Sequence, residues 1–160
     1  YGTVFTSESA NHYIAVVNLG AGHAPSRTNG MGAVDDLNQL SYGTPFDVYF
    51  FLPASPSTPA VTDFVSIKSD LLADSGLTVT LQAYDFFGNL LGSASAADNA
   101  PFTLSVSQPG IHSMRIIGVD TVAWDMISFN APLVAVPEPS SLALICLGSL
   151  ALLKLRRSKH

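Results

Sequence analysis

Histidine is the side chain in this sequence best suited to hold a metal ion or to transfer protons, and it occurs four times. The four are His12, His23, His112 and His160, and no two have a spacing that would place them on one strand face or one helix turn. The only cysteine, Cys146, lies inside an apolar run. Because zinc sites need several such ligands at short, regular spacings, the sequence predicts none.

Oxygen ligands for a hard cation such as calcium are more plentiful, and several fall in predicted loops. The candidate calcium ligands are Asp35, Asp36, Asp98 and Asp120, with Asn38 and Asn99 beside them. The sequence contains no D-x-D-x-D-G loop. The alternative interpretation is that these aspartates cap turns and keep the surface soluble. Calcium is therefore the one cofactor for which the sequence offers ligands, and no other is expected.

Residue patterns that would indicate catalysis are weaker than those that would indicate calcium binding. Sugar hydrolysis needs two carboxyl groups, yet residues 1–132 contain a single glutamate, Glu8, and their aspartates fall mostly at turns. Serine, histidine and aspartate all occur, but the G-x-S-x-G turn of many serine hydrolases does not. We therefore expect a protein that is not an enzyme.

Aromatic side chains offer a different chemistry, because a flat ring can stack on the face of a sugar. The candidates are Tyr42, Tyr49, Tyr84, Phe86, Phe87 and Trp124. Phe86 and Phe87 fall at the tip of a predicted hairpin, although one of two consecutive aromatics usually packs inward. With Trp124 they are the residues we predict as sugar contacts.

Charge is unevenly distributed along the 160 residues. Residues 1–132 carry three basic and eleven acidic side chains, a net charge of -8, whereas residues 133–160 carry four basic side chains against Glu138, a net charge of +3. An acidic body without a cluster of Lys or Arg repels phosphate backbones, so no nucleic-acid partner is expected. The basic end adjoins an apolar run, which suits a membrane surface.

The elements that would position these residues are short β-strands separated by turns. Residues 77–85 alternate apolar and polar side chains, as in a strand with one buried face, and residues 46–52 are almost continuously apolar. The fold class predicted is all-β, an antiparallel two-sheet sandwich of jelly-roll type with about eight strands. Those strands are predicted at 12–20, 46–52, 61–69, 77–85, 90–96, 102–107, 111–119 and 122–130.

Turn residues set the expected breaks between these strands. Three prolines at 53–59 should end one strand, the tripeptide QPG at 108–110 should turn the chain, and residues 21–45 read as a long loop. At 85–89, Asp85 can bond the turn backbone while Gly88 or Asn89 takes a positive φ. A hairpin is therefore predicted there.

The last 25 residues, "VPEPSSLALICLGSLALLKLRRSKH", combine three features in order. Pro137, Glu138 and Pro139 precede an uncharged run of 13 residues, about 20 Å of helix, which is short against a hydrocarbon core of about 30 Å. Counted over residues 140–155, with the Lys154 amine reaching the headgroups, the helix lengthens to about 24 Å. The basic cluster then orients it with the C-terminus in the cytoplasm; its members are Lys154, Arg156, Arg157 and Lys159.

This tail resembles the PEP-CTERM sorting signal of exosortase substrates in Gram-negative bacteria. The resemblance implies export through an N-terminal signal, transient anchoring in the inner membrane, and processing by an exosortase near Pro137, Glu138 and Pro139. It also implies a final location at the cell surface or outside the cell, in an exopolysaccharide or biofilm setting. Residues 1–10 show no charged region followed by an apolar one, so a removed signal peptide and a fragment both stay open.

The body is similar to β-sandwich domains common upstream of such tails, through "DFFGNLLGS", "FTLSVSQPGIHSMRI" and "AWDMISFN". The expected organisation is an extracellular domain at 1–132, a linker at 133–141, a transmembrane helix at 140–155 and a cytoplasmic tail at 156–160. The expected role is structural or exopolysaccharide-associated. The alternatives are the C-terminal part of a secreted carbohydrate-active enzyme and a permanently anchored adhesion module.

Overall fold

The fold of the described residues is entirely β. The computed structural model of the chain describes residues 3–7, 13–18, 29–34, 37, 43–71, 76–118, 123–131 and 133–136. Within them lie eleven strands and no helix. The strands are β1 (Thr3–Ser7), β2 (Tyr13–Asn18), β3 (Asn29–Val34), β4 (Phe46–Leu52), β5 (Ser55–Leu71), β6 (Thr78–Tyr84), β7 (Leu90–Ala97), β8 (Phe102–Ile111), β9 (Ser113–Ile117), β10 (Ala123–Phe129) and β11 (Val134–Ala135).

All pairings between these strands are antiparallel. The main path through the sheet runs β2-β3-β10-β5-β4-β9-β6-β7, with β1 paired to β4, and β8 and β11 paired to β5. The all-β antiparallel class predicted from the sequence is confirmed, and the strand set fits a β-sandwich domain. Across the described ranges no helix has the length and apolarity needed to cross a bilayer. The predicted transmembrane helix at 140–155 lies outside these ranges.

The strands form because their apolar residues recur at every second position. In β6, Val79, Leu81 and Ala83 are completely buried, while the residues between them are at least partly exposed. In β4, Phe46, Val48 and Phe50 are buried, and the residues between them are partly exposed. The core assembled by this alternation draws on β4, β5, β6, β8, β9 and β10.

Three strands were not predicted, namely β1, β3 and β11. β3 falls within 21–45, which was predicted as a loop because the segment is rich in Gly, Pro, Ser and Asn. Its strand conformation depends on its pairing: β3 pairs along its length with the preceding strand β2, and Met31 is aligned with Trp124 of the distant strand β10. The loop prediction is therefore wrong for residues 29–34, since tertiary pairing overrides a weak local preference.

One predicted break is shorter than expected. β4 ends at Leu52, as predicted, but β5 already begins at Ser55 and includes Pro56 and Pro59. Pro59 lacks an N–H group, and its carbonyl accepts a bond from the Val136 amide at 3.0 Å. Pro59 lies near the start of β5, where the missing N–H group is tolerated, and its carbonyl still forms a hydrogen bond.

The tripeptide QPG at 108–110 forms a bulge in β8 rather than a turn. Ser107 is aligned with Phe64 and Ile111 with Thr62, so three residues of β8 lie opposite the single residue Asp63. Gly110 has φ +85°, which accommodates the extra length. The turn prediction is wrong, because the glycine changes the direction of the strand locally without reversing it.

His112 is the single residue between β8 and β9. Its amide donates to the Tyr84 carbonyl at 2.8 Å, and its carbonyl accepts from the Phe50 amide at 3.0 Å. Its buried ring contacts the Ala60 carbonyl through Nδ1 at 2.9 Å. The chain therefore passes at His112 from pairing with β5 to pairing with β4 and β6, which places β9 between them.

Candidate binding cleft

The strands β4, β9 and β6 lie side by side, and their register aligns polar residues in two rows. In the first row Asp47, Arg115 and Gln82 are cross-strand neighbours. In the second row Tyr49, Ser113 and Tyr84 are neighbours, two positions further along each strand. Because side chains alternate between faces, these two rows share one face of the sheet.

This face forms a cleft of about 340 Å³, which we call the β9 cleft. It is bounded at one end by the turn between β6 and β7. The lining residues are Asp47, Tyr49, Tyr84, Asp85, Phe86, Gly88, His112, Ser113 and Arg115. Three aromatic side chains, those of Tyr49, Tyr84 and Phe86, lie among charged and polar groups in this lining, which is more polar than apolar.

The polar centre of the β9 cleft is a bidentate ion pair. Arg115 donates from Nε to Asp47 Oδ1 at 2.9 Å and from Nη2 to Asp47 Oδ2 at 3.1 Å. The side chains are 31% and 14% exposed, respectively, so the pair is reachable from solvent without being fully hydrated. A paired guanidinium keeps a fixed plane and compensates the carboxylate charge, so both groups are preorganised.

Two tyrosines flank the buried Ser113 in the second row. Tyr84 donates its hydroxyl to Gln82 Oε1 at 2.7 Å, which fixes the orientation of the ring. Tyr49 lies two strands away, about 9.5 Å across the sheet. Half-buried tyrosines present an apolar ring and a polar tip together, which suits contact with a hydroxylated ligand.

The turn that bounds the β9 cleft has the predicted hairpin chemistry. Asp85 Oδ1 accepts from the amides of Phe87 and Asn89, each at 2.8 Å, and Oδ2 accepts from Asn89 Nδ2 at 2.8 Å. Gly88 has φ +82°, as expected for one of the two residues proposed for this role. These bonds lower the pKa of Asp85 below its ordinary value of 3.8, and the bond from the Asn89 side chain has the largest effect.

A pH dependence of stability follows from the lowered pKa of Asp85. A carboxyl group with a depressed folded-state pKa stabilises the fold above its unfolded pKa, and this contribution is lost as the pH falls through the folded pKa. We expect Asp85→Asn to lower the urea midpoint at pH 7, and the difference from the wild type to shrink as the pH falls through the folded pKa. NMR titration should place the pKa of Asp85 below 3.8 and show Asn89→Ala raising it. A pKa at or above 3.8 would contradict this account.

The two predicted hairpin-tip aromatics have different environments. Phe86 is 38% exposed, lines the β9 cleft and packs edge-on against the His112 ring at 5.2 Å between centroids. Phe87 is 73% exposed and contacts Phe86 at 5.6 Å. Phe86 is thus the less exposed of the two rings, and it is the one that lines the cleft.

Trp124, the third predicted sugar contact, is 1% exposed. Its ring meets Phe102 at 5.8 Å with an interplanar angle of 72°. Since Trp124 belongs to the core of this fold, it offers no ring face to a ligand in solution. The expectation that it contacts sugar is therefore corrected by its burial.

Of the candidate calcium ligands, Asp35, Asp36 and Asp120 lie outside the described residues. Asp98 is completely buried after β7, and its amide donates to the Leu77 carbonyl at 3.0 Å. In the part of the chain that the structure describes, no group of three His, Cys, Asp or Glu side chains could hold a metal ion. Calcium binding stays a prediction.

Two other surface depressions offer fewer kinds of chemical group to a ligand than the β9 cleft does. One, of about 420 Å³, lies beside the β8 bulge opposite Asp63, where Asn130 Nδ2 donates to Asp63 Oδ1 at 2.7 Å. The other, of about 520 Å³, is a largely apolar groove between β1 and β10 that includes Phe5 and Phe129. Neither combines aromatic rings with a fixed ion pair, so the β9 cleft is the better candidate.

The sorting residues predicted from the tail all lie outside the described residues. They are Pro137, Glu138, Pro139, Lys154, Arg156, Arg157 and Lys159. The β9 cleft, by contrast, contains a feature that the sequence did not reveal, the Asp47–Arg115 pair. These residues are 68 positions apart, and the only available signal was opposite charge on outward positions of two predicted strands.

The all-β body is followed by a tail with the pattern of a sorting signal, and comparison with known proteins identifies that tail. The family model for the PEP-CTERM protein-sorting motif matches residues 135–158. The chain therefore carries this motif, and the resemblance of its tail is confirmed. The motif implies export, recognition by an exosortase and transient processing at the membrane before arrival at the surface.

Comparisons of the body are less informative. None of the curated proteins matches the chain. Among solved structures, the chain is similar to the enzymatically active domain of tailspike protein 4 of bacteriophage CBA120, with 7% identity and a TM-score of 0.39. That similarity covers 83% of this chain but only 19% of the tailspike chain. At this TM-score it carries no argument about fold or function.

Proposed function

We propose that this protein is an exported, non-enzymatic component of the cell surface or extracellular matrix that associates with polysaccharide through the β9 cleft. The observation that carries the proposal is the combination of Tyr49, Tyr84 and Phe86 with the Asp47–Arg115 pair. Aromatic rings supply apolar contact with sugar faces, and the fixed polar groups supply hydrogen bonds to hydroxyls. The sorting motif supports the location in which such a ligand is found.

The absence of catalysis is part of the proposal. Asp47 uses both carboxylate oxygens to bind Arg115, and Asp85 uses both in the turn. A general acid for glycoside hydrolysis needs a raised pKa, whereas the pKa of Asp85 is lowered. The engaged carboxylates of the β9 cleft therefore support binding without bond cleavage.

The architecture we propose for the body is a two-layered jelly-roll sandwich. Support comes from β7 and β8, which lie against each other without sharing hydrogen bonds. A Cβ atom at Gly92 of β7 would lie 3.0 Å from Val106 Cγ1 of β8. Such close contact is expected between facing layers rather than between paired neighbours. The β9 cleft would then lie on the outer face of one layer.

The test of this proposal compares two adjacent phenylalanines. The full chain, purified in detergent, is titrated by calorimetry against a panel of bacterial exopolysaccharide oligomers. Phe86→Ala should weaken binding about tenfold, equivalent to about 1.4 kcal/mol, because it removes a ring that lines the cleft. Phe87→Ala is the matched control, since this more exposed ring does not line the cleft. Equal effects of the two variants, or binding to no oligomer, would refute the proposal.

A further inference from the structure

We infer that Asp47 makes the β9 cleft selective for uncharged sugars and excludes acidic ones such as uronic acids. This inference rests on the proposed function, because it assigns a ligand class to the same cleft. The starting point is that Arg115, the cleft residue best suited to bind a carboxylate, is already held by one from the protein. An acidic sugar would have to compete with Asp47 for that guanidinium.

The charge of the lining supports the same conclusion. Its ionised groups are Arg115, Asp47 and Asp85, and His112 is counted as neutral, so the formal charge is -1. Asp85, whose pKa lies below its ordinary value of 3.8, is ionised at neutral pH. A second carboxylate entering this lining meets net repulsion, which a neutral hydroxyl does not.

The wider surface does not reverse this balance. Residues 1–132 carry a net charge of -8, with only Arg27 and Lys68 as further basic side chains. Lys68 is on β5, aligned with Thr103 and Asp125, and does not line the cleft. Long-range attraction of an anionic polysaccharide to this body is therefore weak. Neutral hexose chains, recognised by ring stacking and hydroxyl contacts, fit the cleft better.

The test uses pairs of oligosaccharides that differ only at C6. β-1,4-linked mannose tetramer is compared with β-1,4-linked mannuronate tetramer, and the glucose and galactose series are treated likewise, with the full chain in detergent. We expect at least one neutral member to bind, and its uronate counterpart to bind at least about tenfold more weakly, a difference that salt reduces. Equal or tighter uronate binding overturns this inference and leaves the proposed function standing. Binding of neither member of any pair overturns both.

A variant without the Asp47 charge tests whether this residue causes the selectivity. Asp47→Asn should raise the ratio of uronate affinity to neutral-sugar affinity about tenfold, because it removes the carboxylate with which an acidic sugar competes for Arg115. Asp63→Asn is the matched control, with the same change of charge at an exposed position outside the cleft. An equal gain in both variants would show a nonspecific charge effect and refute the role of Asp47. If Asp47→Asn does not fold, the wild-type ratio for each pair decides the inference alone.

Discussion

Replacing Pro137, Glu138 and Pro139 together with alanine is expected to abolish release of the protein and to leave it in the inner-membrane fraction. These residues fall within the matched sorting motif, which spans 135–158. The apolar run and the basic cluster that follow are unchanged in this variant, so insertion and orientation in the membrane should persist. The variant would therefore keep its membrane anchoring and lose its release.

The physical basis of this expectation is the backbone of the motif. Proline has no N–H group and disfavours helical conformation in the residue before it, so the sequence predicts an extended segment that an exosortase can bind. Three alanines remove that restriction and favour continuation of a helix. They also remove the carboxylate of Glu138, the only acidic group after residue 132.

The measurement is immunoblotting of membrane and surface-released fractions, with mass spectrometry of the C-terminus of any released protein. Pro53→Ala combined with Pro101→Ala is the control, since it removes two exposed prolines outside the motif and should leave release unchanged. Normal release of the triple variant, or a released protein that retains Arg156 and Arg157, would exclude processing at this motif.

Much of the strand structure was predictable because burial alternates with the side-chain period of two. β6, with Val79, Leu81 and Ala83 buried, shows this directly, and the Asp85 turn was predictable from local hydrogen-bonding chemistry. β3 could not be predicted in the same way. It is held by β2 and β10, and pairing across some 90 residues, as between Met31 and Trp124, leaves no local pattern.

The candidate site was predictable only in part, for the same reason. Phe86 was identified from its position in a turn, which is a local property. Asp47 and Arg115 became neighbours through the register of β4 with β9, and a shift of one residue would have placed them on opposite faces. Trp124 shows the converse error, since an aromatic ring in a strand can belong to the core as readily as to a surface.

The boundary between domain and tail carries contacts that the sequence did not predict. Residues 133–136 were assigned to a linker, yet Leu133 is 9% exposed and belongs to the core, and Val134 and Ala135 pair with β5. The Val136 amide also donates to the Pro59 carbonyl at 3.0 Å. The matched sorting motif therefore begins within β11.

Two neighbouring substitutions test this boundary. Leu133→Ala in the full chain should lower the free energy of unfolding by about 2–3 kcal/mol, because it removes a buried side chain and leaves a cavity. Val134→Ala is the matched control: this side chain is 61% exposed, and its truncation should cost less than about 1 kcal/mol. Urea unfolding followed by tryptophan fluorescence measures both, since Trp124 lies in the same core. Small and equal losses would mean that residues 133–136 behave as a linker, whereas the expected difference makes β11 the last element of the folded domain.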